Sequence, residues 1–487
     1  MSSHGPVITA VPAASGRHGR LTLAIASLAS LATFLDTTIL FVAFPDISST
    51  FDSASPSTLP WVLNAYTIVF AALLIPAGKI ADRLGHRRTF LTGSAAFTIA
   101  SMACGLAPTI EVLVAFRILQ AAGAAMLIPS SLALVMRAVP SEKVPHAVAI
   151  WGAAGGVAGA LGPTLGATIV EHLDWRWAFF INLPIGLFTV IAGARTLRES
   201  SDPRTRIPAP LGVVLIIVAA SALSYGFVDS DTNGWLSAPT IGALAVGLAA
   251  LVVFVVHQRA SRAPVLDLDL FGIGNFRWGN IAMLVFGVAF SAMFFGSILF
   301  LTSVWEWSIL KAGIGIAPGP ALVALLAPRT GRLAGTIGQR PIIVAGGLLY
   351  AAGGVWRVVL LGPDVDYWVD YFPSMVLTGI GVAFCIPQLS SVVAQALPAN
   401  RIGVGGAALQ AVRQFGGTFG VAITIALLAD PGGLAGALAA FDKIWWIVVA
   451  GGLLVTASSL PLRTGRRIVP MPETPGRDLV GIDTVAG

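Results

Sequence analysis

Fourteen runs of roughly twenty or more mostly apolar residues follow one another along this chain, and no other feature of the sequence restricts its fold as tightly. A helix rises 1.5 Å per residue, so about twenty residues cross the ~30 Å hydrocarbon core of a bilayer. The runs lie near 21–45, 58–80, 88–107, 111–136, 144–170, 175–196, 208–229, 238–257, 276–304, 312–330, 340–361, 368–396, 402–429 and 440–462. Of the 487 residues, 56% are hydrophobic and 11% charged. Soluble domains carry about 45–50% and about 25%. That apolar excess cannot be hidden inside one water-soluble globule, which excludes a soluble enzyme and a nucleic-acid-binding protein. The expected fold is all-α and integral to the membrane, with fourteen transmembrane helices. Glycine and proline are plentiful within the runs, and membrane helices tolerate both because neighbours re-satisfy freed backbone groups.

Lysine and arginine set the orientation, because cytoplasmic connections accumulate positive charge. With both tails and the even-numbered connections cytoplasmic, that side carries Arg17, Arg20, Lys79, Arg83, Arg87, Arg88, Arg137, Lys143, Arg195, Arg198, Arg259, Arg262, Arg277, Arg329, Arg332, Arg340 and Arg463, among others. The opposite side holds Arg176, Lys311 and Lys443, with Arg357 at its margin, and is acidic instead: Asp46, Asp52, Asp229, Asp231, Asp364, Asp366 and Asp370. An even number of spans with both termini cytoplasmic fits this asymmetry. The net charge of +6 then reports orientation in a cell membrane, not a nucleic-acid partner. Residues 1–20 and 463–487 are expected as cytoplasmic tails, the first without the apolar core of a cleavable signal. Cys104 and Cys385 both fall inside apolar runs, so no disulfide framework or metal site is expected.

Two segments repeat. Residues 117–140 and 375–398 align without gaps, with eight of 24 positions identical, including Gly123/Gly381, Pro129/Pro387 and Pro140/Pro398. A weaker pair sets Gly78-Lys-Ile-Ala-Asp82-Arg83-Leu-Gly85-His-Arg87 against Gly331-Arg-Leu-Ala-Gly335-Thr-Ile-Gly338-Gln-Arg340. The two offsets, 258 and 253 residues, are similar and in the same order. They divide the chain into a six-helix half over 21–196, an inserted helix pair over 208–257, and a second six-helix half over 276–462. Two parallel halves with a site near the midplane between them is a transporter architecture.

At this point the residues resemble the fourteen-helix drug:proton antiporter branch of the major facilitator superfamily. Leu35-Asp36-Thr-Thr-Ile39 followed by Ala43-Phe-Pro-Asp-Ile47 resembles its helix 1 motif, and Gly78 to Arg88 resembles the signature loop between helices 2 and 3. Arg117-Ile-Leu-Gln120-Ala-Ala-Gly123 is similar to the helix 4 motif, and Gly159-Ala-Leu-Gly162-Pro163-Thr-Leu-Gly166 to the antiporter motif of helix 5. Trp175-Arg-Trp-Ala-Phe-Phe-Ile-Asn182-Leu-Pro184 resembles the start of helix 6. The sequence departs from the pattern at Phe41, where Asn is usual, at Ala167 and Glu306, where Gly is common, and at Gly335, which stands where the first copy of the loop has Asp82.

Asp36 carries the chemistry. It sits about 22 Å along the first span from Leu21. A carboxylate at that depth costs roughly 2.5–3.5 kcal/mol, and burial disfavours its charged form. It is expected to exchange a proton and to meet a polar or cationic substrate, provided its side chain faces a central water-filled vestibule. The resemblance gives Arg117 a proton-relay or conformational role. Glu306 and Arg413 are further candidates for the coupling site, Glu306 as a second titrating acid beside Trp305 and Trp307. In the loop Gly78, Asp82, Arg83, Gly85, Arg87 and Arg88, an Asp–Arg network is expected to lock one conformational state. Gly155, Gly159, Gly162, Pro163 and Gly166 place small residues about four apart on helix 5, which lets a neighbour approach closely and form a pivot. Phe41 and Tyr66 are candidates for a pocket that takes flat lipophilic cations.

No GxxxxGK[ST] or HExxH pattern is present, which disfavours ATP-driven pumping and zinc chemistry. The expected activity is proton-driven export of lipophilic, often cationic, small molecules by alternating access, without cofactor and as a monomer. Export of a lipid or an endogenous metabolite is the alternative within transport. A membrane sensor that binds ligand without moving protons is the alternative outside it.

Overall fold

A computed structural model describes residues 16–52, 58–140, 143–201, 207–397, 402–428 and 432–464. The chain opens with α1 (Arg17–Thr50), α2 (Trp61–Leu84), α3 (His86–Gly105), α4 (Ile110–Ala138), α5 (Val144–His172), α6 (Trp177–Phe180) and α7 (Asn182–Thr196). A hairpin of α8 (Pro210–Asn233) and α9 (Ala238–Ala260) follows. Then come α10 (Gly274–Ser303), α11 (Ile309–Ile316), α12 (Pro318–Ile337), α13 (Gln339–Leu360), α14 (Phe372–Gln395), α15 (Ile402–Leu428) and α16 (Leu434–Ser459). The described residues contain no strand. The expected tails lie almost wholly outside the described residues, and α1 already begins at Arg17, inside the expected N-terminal tail.

Twelve of these helices, counting α6–α7, α11–α12 and the turn before α14 as parts of single columns, are long and apolar enough to cross a membrane. Counting α5 as one bent span makes thirteen. The fourteenth expected span, α3, forms its helix but falls short of that criterion. It starts on His86-Arg87-Arg88 and carries Thr89, Thr92, Ser94, Thr98 and Ser101 along its length.

Local sequence explains the breaks. Thr109 caps α4 by accepting from the Val112 amide, and Ser237 does the same for α9 ahead of Pro239. A single residue turns α2 into α3, Gly85 at φ 116°, and a single residue turns α12 into α13, Gly338 at φ 85°. Both positions belong to the repeated loop, and only glycine takes such a backbone without strain. Within α5, a bend of 42° falls between Gly159 and Leu161. Pro163 lacks the amide that would bond the Gly159 carbonyl, which accounts for it.

The helices pack in two sets with the same pattern of neighbours. In the first, α4 lies against α1, α2 and α3, while α1 lies against α5 and α7 and α3 against α7. In the second, α14 lies against α10, α12 and α13, while α10 lies against α15 and α16 and α13 against α16. The sets meet where α2 packs on α15, where α5 packs on α11 and α12, and where α1 touches α10. The α8–α9 hairpin packs outside both, with α8 against α2 and α15 together.

Candidate functional site

Polar residues of five columns of the first set converge on Asp36. The residue is 1% exposed. Oδ2 accepts from Arg117 Nη1 at 2.6 Å, and Oδ1 accepts from Gln120 Nε2 at 2.7 Å and from Asn182 Nδ2 at 3.0 Å. Arg117, also 1% exposed, donates from Nη1 to Gln120 Oε1 at 2.7 Å and from Nε to the Val62 carbonyl at 3.1 Å. Its guanidinium lies 4.0 Å from the Tyr66 ring centroid and 5.8 Å from that of Phe179. Asn182 also donates to Ser101 Oγ, which in turn donates to the Phe179 carbonyl. Thus α1 supplies the acid, α4 the cation and an amide, α7 a second amide, α3 a hydroxyl, and α2 an aromatic face and a carbonyl.

Arg117 is the buried counter-ion of Asp36, and the geometry corrects one expectation. Asp36 does not open onto a water-filled vestibule in this conformation, because Arg117, Gln120 and Asn182 enclose it. Gln120 and Asn182, which complete the shell, stand in the quoted helix 4 and helix 6 segments, but sequence reasoning assigned them no role. The signal was there: each is an amide inside an apolar run.

The other candidates are placed elsewhere. Phe41 packs between the sets with tilted rings, 5.8 Å from Phe294 and 5.7 Å from Phe295, and Phe44 meets Phe295 edge-on at 5.2 Å. Tyr66 is wholly buried beneath Arg117, so the two pocket candidates do not share one pocket. Arg413, half-buried on α15, lies 6.0 Å from the Phe34 ring of α1, at the seam between the sets. Glu306 is exposed, with φ 52°, in the connection before α11. It is no core acid. Arg357, which charge counting set at the outer margin, is 0% exposed. It donates to Ser374 Oγ at 3.0 Å and Ser297 Oγ at 2.7 Å, and faces the rings of Trp445 at 4.7 Å and Tyr371 at 5.1 Å.

The loop after α2 is held differently from the expected Asp–Arg network. Glu199, just beyond α7, accepts from the backbone amides of Arg87 and Arg88, both at 3.1 Å, and its carboxylate lies 3.7 Å from Arg88 Nε. Arg87 Nη2 donates to the Ala194 carbonyl at 2.7 Å. A Cβ on Gly85 would collide with the Glu199 carboxylate. Asp82 instead lies 3.3 Å from His86 Nε2. His86 is buried, and burial first, then the charge of Arg137, pushes its imidazole below the ordinary range. Arg83 is exposed, and Gly78 packs beside Pro129 of α4.

Helix α5 lies flush against α1 beside the acid. A Cβ on Gly162 would collide with Thr38 Oγ1, whose hydroxyl donates to the Ala158 carbonyl at 3.2 Å. One on Gly166 would lie 3.1 Å from the Ile39 Cα, and one on Gly155 3.2 Å from Phe34. Gly159 has nothing within 4 Å. On its other side α5 meets the second set, where a Cβ on Gly313 of α11 would lie 2.7 Å from the Pro163 carbonyl.

The sequence model of the Major Facilitator Superfamily matches residues 26–421. The multidrug resistance protein Stp of Mycobacterium tuberculosis is 34% identical over 410 residues, covering 84% of this chain and 76% of that protein. The cephamycin export protein CmcT of Amycolatopsis lactamdurans is 34% identical over 83% of this chain and 84% of its own. The multidrug export protein EmrB of Escherichia coli is 31% identical over 83% and 79%. Among solved structures, a D-xylose–proton symporter superposes with a TM-score of 0.67 at 15% identity, covering 91% of this chain and 97% of that one, which is a likeness of fold.

Proposed function

The chain belongs to the major facilitator superfamily, a multi-pass cell-membrane transporter and not an enzyme, and from that premise we propose that it exports lipophilic, cationic small molecules in exchange for protons. The observation that carries the reading is the buried Asp36–Arg117 pair. Protonating Asp36 removes the negative charge from a site where Arg117, Gln120 and Asn182 all donate to it. Breaking a buried pair on one side is worth about 3–5 kcal/mol. About 1.4 kcal/mol already changes a population tenfold, so one proton suffices to bias α1 against α4 and α7. Because the acid is enclosed here, proton and substrate reach it in other conformations of the cycle. The Phe41, Phe44, Phe294 and Phe295 contacts and the α5–α11 seam support reading this conformation as closed toward the outside.

The unit that moves is a six-helix half, α1–α7 against α10–α16. The span count is fourteen, with α3 carried by its neighbours α4 and α7 despite its polar residues. Both termini are cytoplasmic, on the end that gathers Lys79, Arg83, Arg87, Arg88, Arg277, Arg340 and Arg463. A second reading, export of a metabolite the cell itself makes, is favoured by the likeness to the cephamycin export protein.

Both readings require proton coupling at Asp36. Purified protein in liposomes with an imposed pH gradient is offered cationic dyes and neutral antibiotics. Wild type is expected to drive transport and to release protons on substrate addition, and Asp36→Asn to lose both while still inserting. Undiminished gradient-driven transport by Asp36→Asn rejects the coupling role.

A further inference from the structure

A cavity of about 560 Å³ opens at the arginine-rich end of the bundle, and it shares no residue with the Asp36 network. Its walls include Gly274, Asn275, Arg277 and Trp278 from the first turns of α10, with Pro461 and Arg463 from the segment after α16. The walls hold two arginines and no acidic residue.

The arrangement is built rather than incidental. The Asn275 side chain donates from Nδ2 to the Arg463 carbonyl and accepts on Oδ1 from the Arg463 amide, both at 2.9 Å. This reciprocal pair fastens the segment after α16 to the start of α10. The next residue is fastened too, because Thr464 Oγ1 accepts from the Arg340 amide at 3.0 Å. The Arg463 backbone is therefore held in the wall of the cavity. Arg277 also lines the cavity, its guanidinium 5.7 Å from the Trp278 ring. The 30-residue helix α10 begins at Gly274 after Ile273, which offers no side-chain cap, so the partial positive charge of its N-terminus sits at residues that line this space.

The ligand these groups fit is a phosphate ester. Two guanidinium groups and a helix N-terminus select an oxyanion. The volume exceeds what one inorganic ion fills. Trp278 lies near the start of a membrane-length helix, the position where aromatic rings sit at headgroup level, and basic pockets between helices on the cytoplasmic side take lipid headgroups. We propose that this cavity binds the headgroup of an anionic phospholipid, held by Arg277, Arg463 and the start of α10. Binding at this site clamps the segment after α16 onto α10. It does not require proton coupling at Asp36, so the two ideas stand or fall separately.

Native mass spectrometry of the delipidated full chain, titrated with phosphatidylglycerol or phosphatidylcholine, tests it. Wild type is expected to retain phosphatidylglycerol in preference. Arg277→Gln combined with Arg463→Gln should weaken that binding about tenfold or more. Arg259→Gln with Arg262→Gln, an equal loss of charge outside the cavity, should not. Asn275→Ala keeps both arginines but unfastens one, and should also weaken binding; with the lipid comparison on wild type, it serves if the double variant fails to fold. Equal retention of the two lipids, or unchanged affinity in the double variant, overturns the proposal. So does displacement of phosphatidylglycerol by millimolar inorganic phosphate, which would identify a free-anion site.

Discussion

A carboxylate in the middle of a membrane helix is tolerated here because every oxygen lone pair that matters is met. Asp36 has an arginine on one oxygen and two amides on the other, which offsets the cost of taking it out of water. Sequence depth alone singled out Asp36. It could not show that Arg117, 81 positions later, lies 2.6 Å away, because that distance is fixed by how α1 and α4 cross. Arg117→Met should therefore destabilise the protein by about 3–5 kcal/mol, since it strands a buried acid. Chemical denaturation in detergent would measure this, and a loss under 1 kcal/mol would mean the site rehydrates or Asp36 takes up a proton. Arg357 makes the complementary point. Its buried position depends on Ser297 and Trp445 from other helices, and nothing in its own neighbourhood of sequence foretells them.

At the scale of helices, the spacing of small residues on α5 was legible, but which of them matter was not. Gly162 touches Thr38 while Gly159 faces open space, one turn away. Gly162→Ala is expected to push α5 off α1 and to lower both folded yield and transport, whereas Gly159→Ala should leave both near wild type. Fluorescence-detected size exclusion with a dye-efflux assay separates the two, and equal behaviour would undo the packing account. The loop after α2 teaches a similar lesson. Its glycines and charges are visible in the sequence, yet the acid that organises it is Glu199, more than a hundred residues on. His86 at the start of α3 adds a pH response. The folded protein disfavours its charged form, so between the folded pKa and about 6.5 the unfolded chain binds more protons. Stability is fully present above about pH 6.5 and falls as pH drops through the folded pKa. Melting temperatures recorded between about pH 7.5 and pH 5 should decline less steeply for His86→Gln than for wild type; parallel curves would remove His86 from the response.

For the molecule as a whole, the α8–α9 hairpin breaks an otherwise repeated design. The seam of α2 with α15 corresponds to that of α12 with α5, but among the described residues the α8–α9 hairpin packs on the first. There Asn64 Nδ2 donates to Ser224 Oγ at 3.1 Å, Phe227 meets Phe419 at 6.2 Å, and Thr67 and Thr418 share a hydrogen bond of 2.6 Å across the seam. If the halves rock, this seam must part. Thr67→Cys with Thr418→Cys places two thiols within disulfide range. Oxidation is expected to abolish most transport in proteoliposomes and reductant to restore it. Full transport by the oxidised protein would mean that the seam stays closed throughout the cycle.

Amino-acid order is enough to put the chain in a bilayer, to run its helices as apolar columns broken by glycine and proline, to set one carboxyl group deep in the first column, and to repeat a loop and a helix about 255 residues apart. Hydrophobicity, backbone freedom and charge cost are properties of single residues and their near neighbours, so a string of letters carries them. The tertiary structure alone decided which cation meets Asp36, that the acid is enclosed rather than open, that Glu306 stays outside while Arg357 goes in, and that the inserted hairpin packs on the seam of α2 with α15. Those outcomes depend on the crossing of helices far apart in the chain, and side-chain reach, unlike hydropathy, is set only once the backbones have docked.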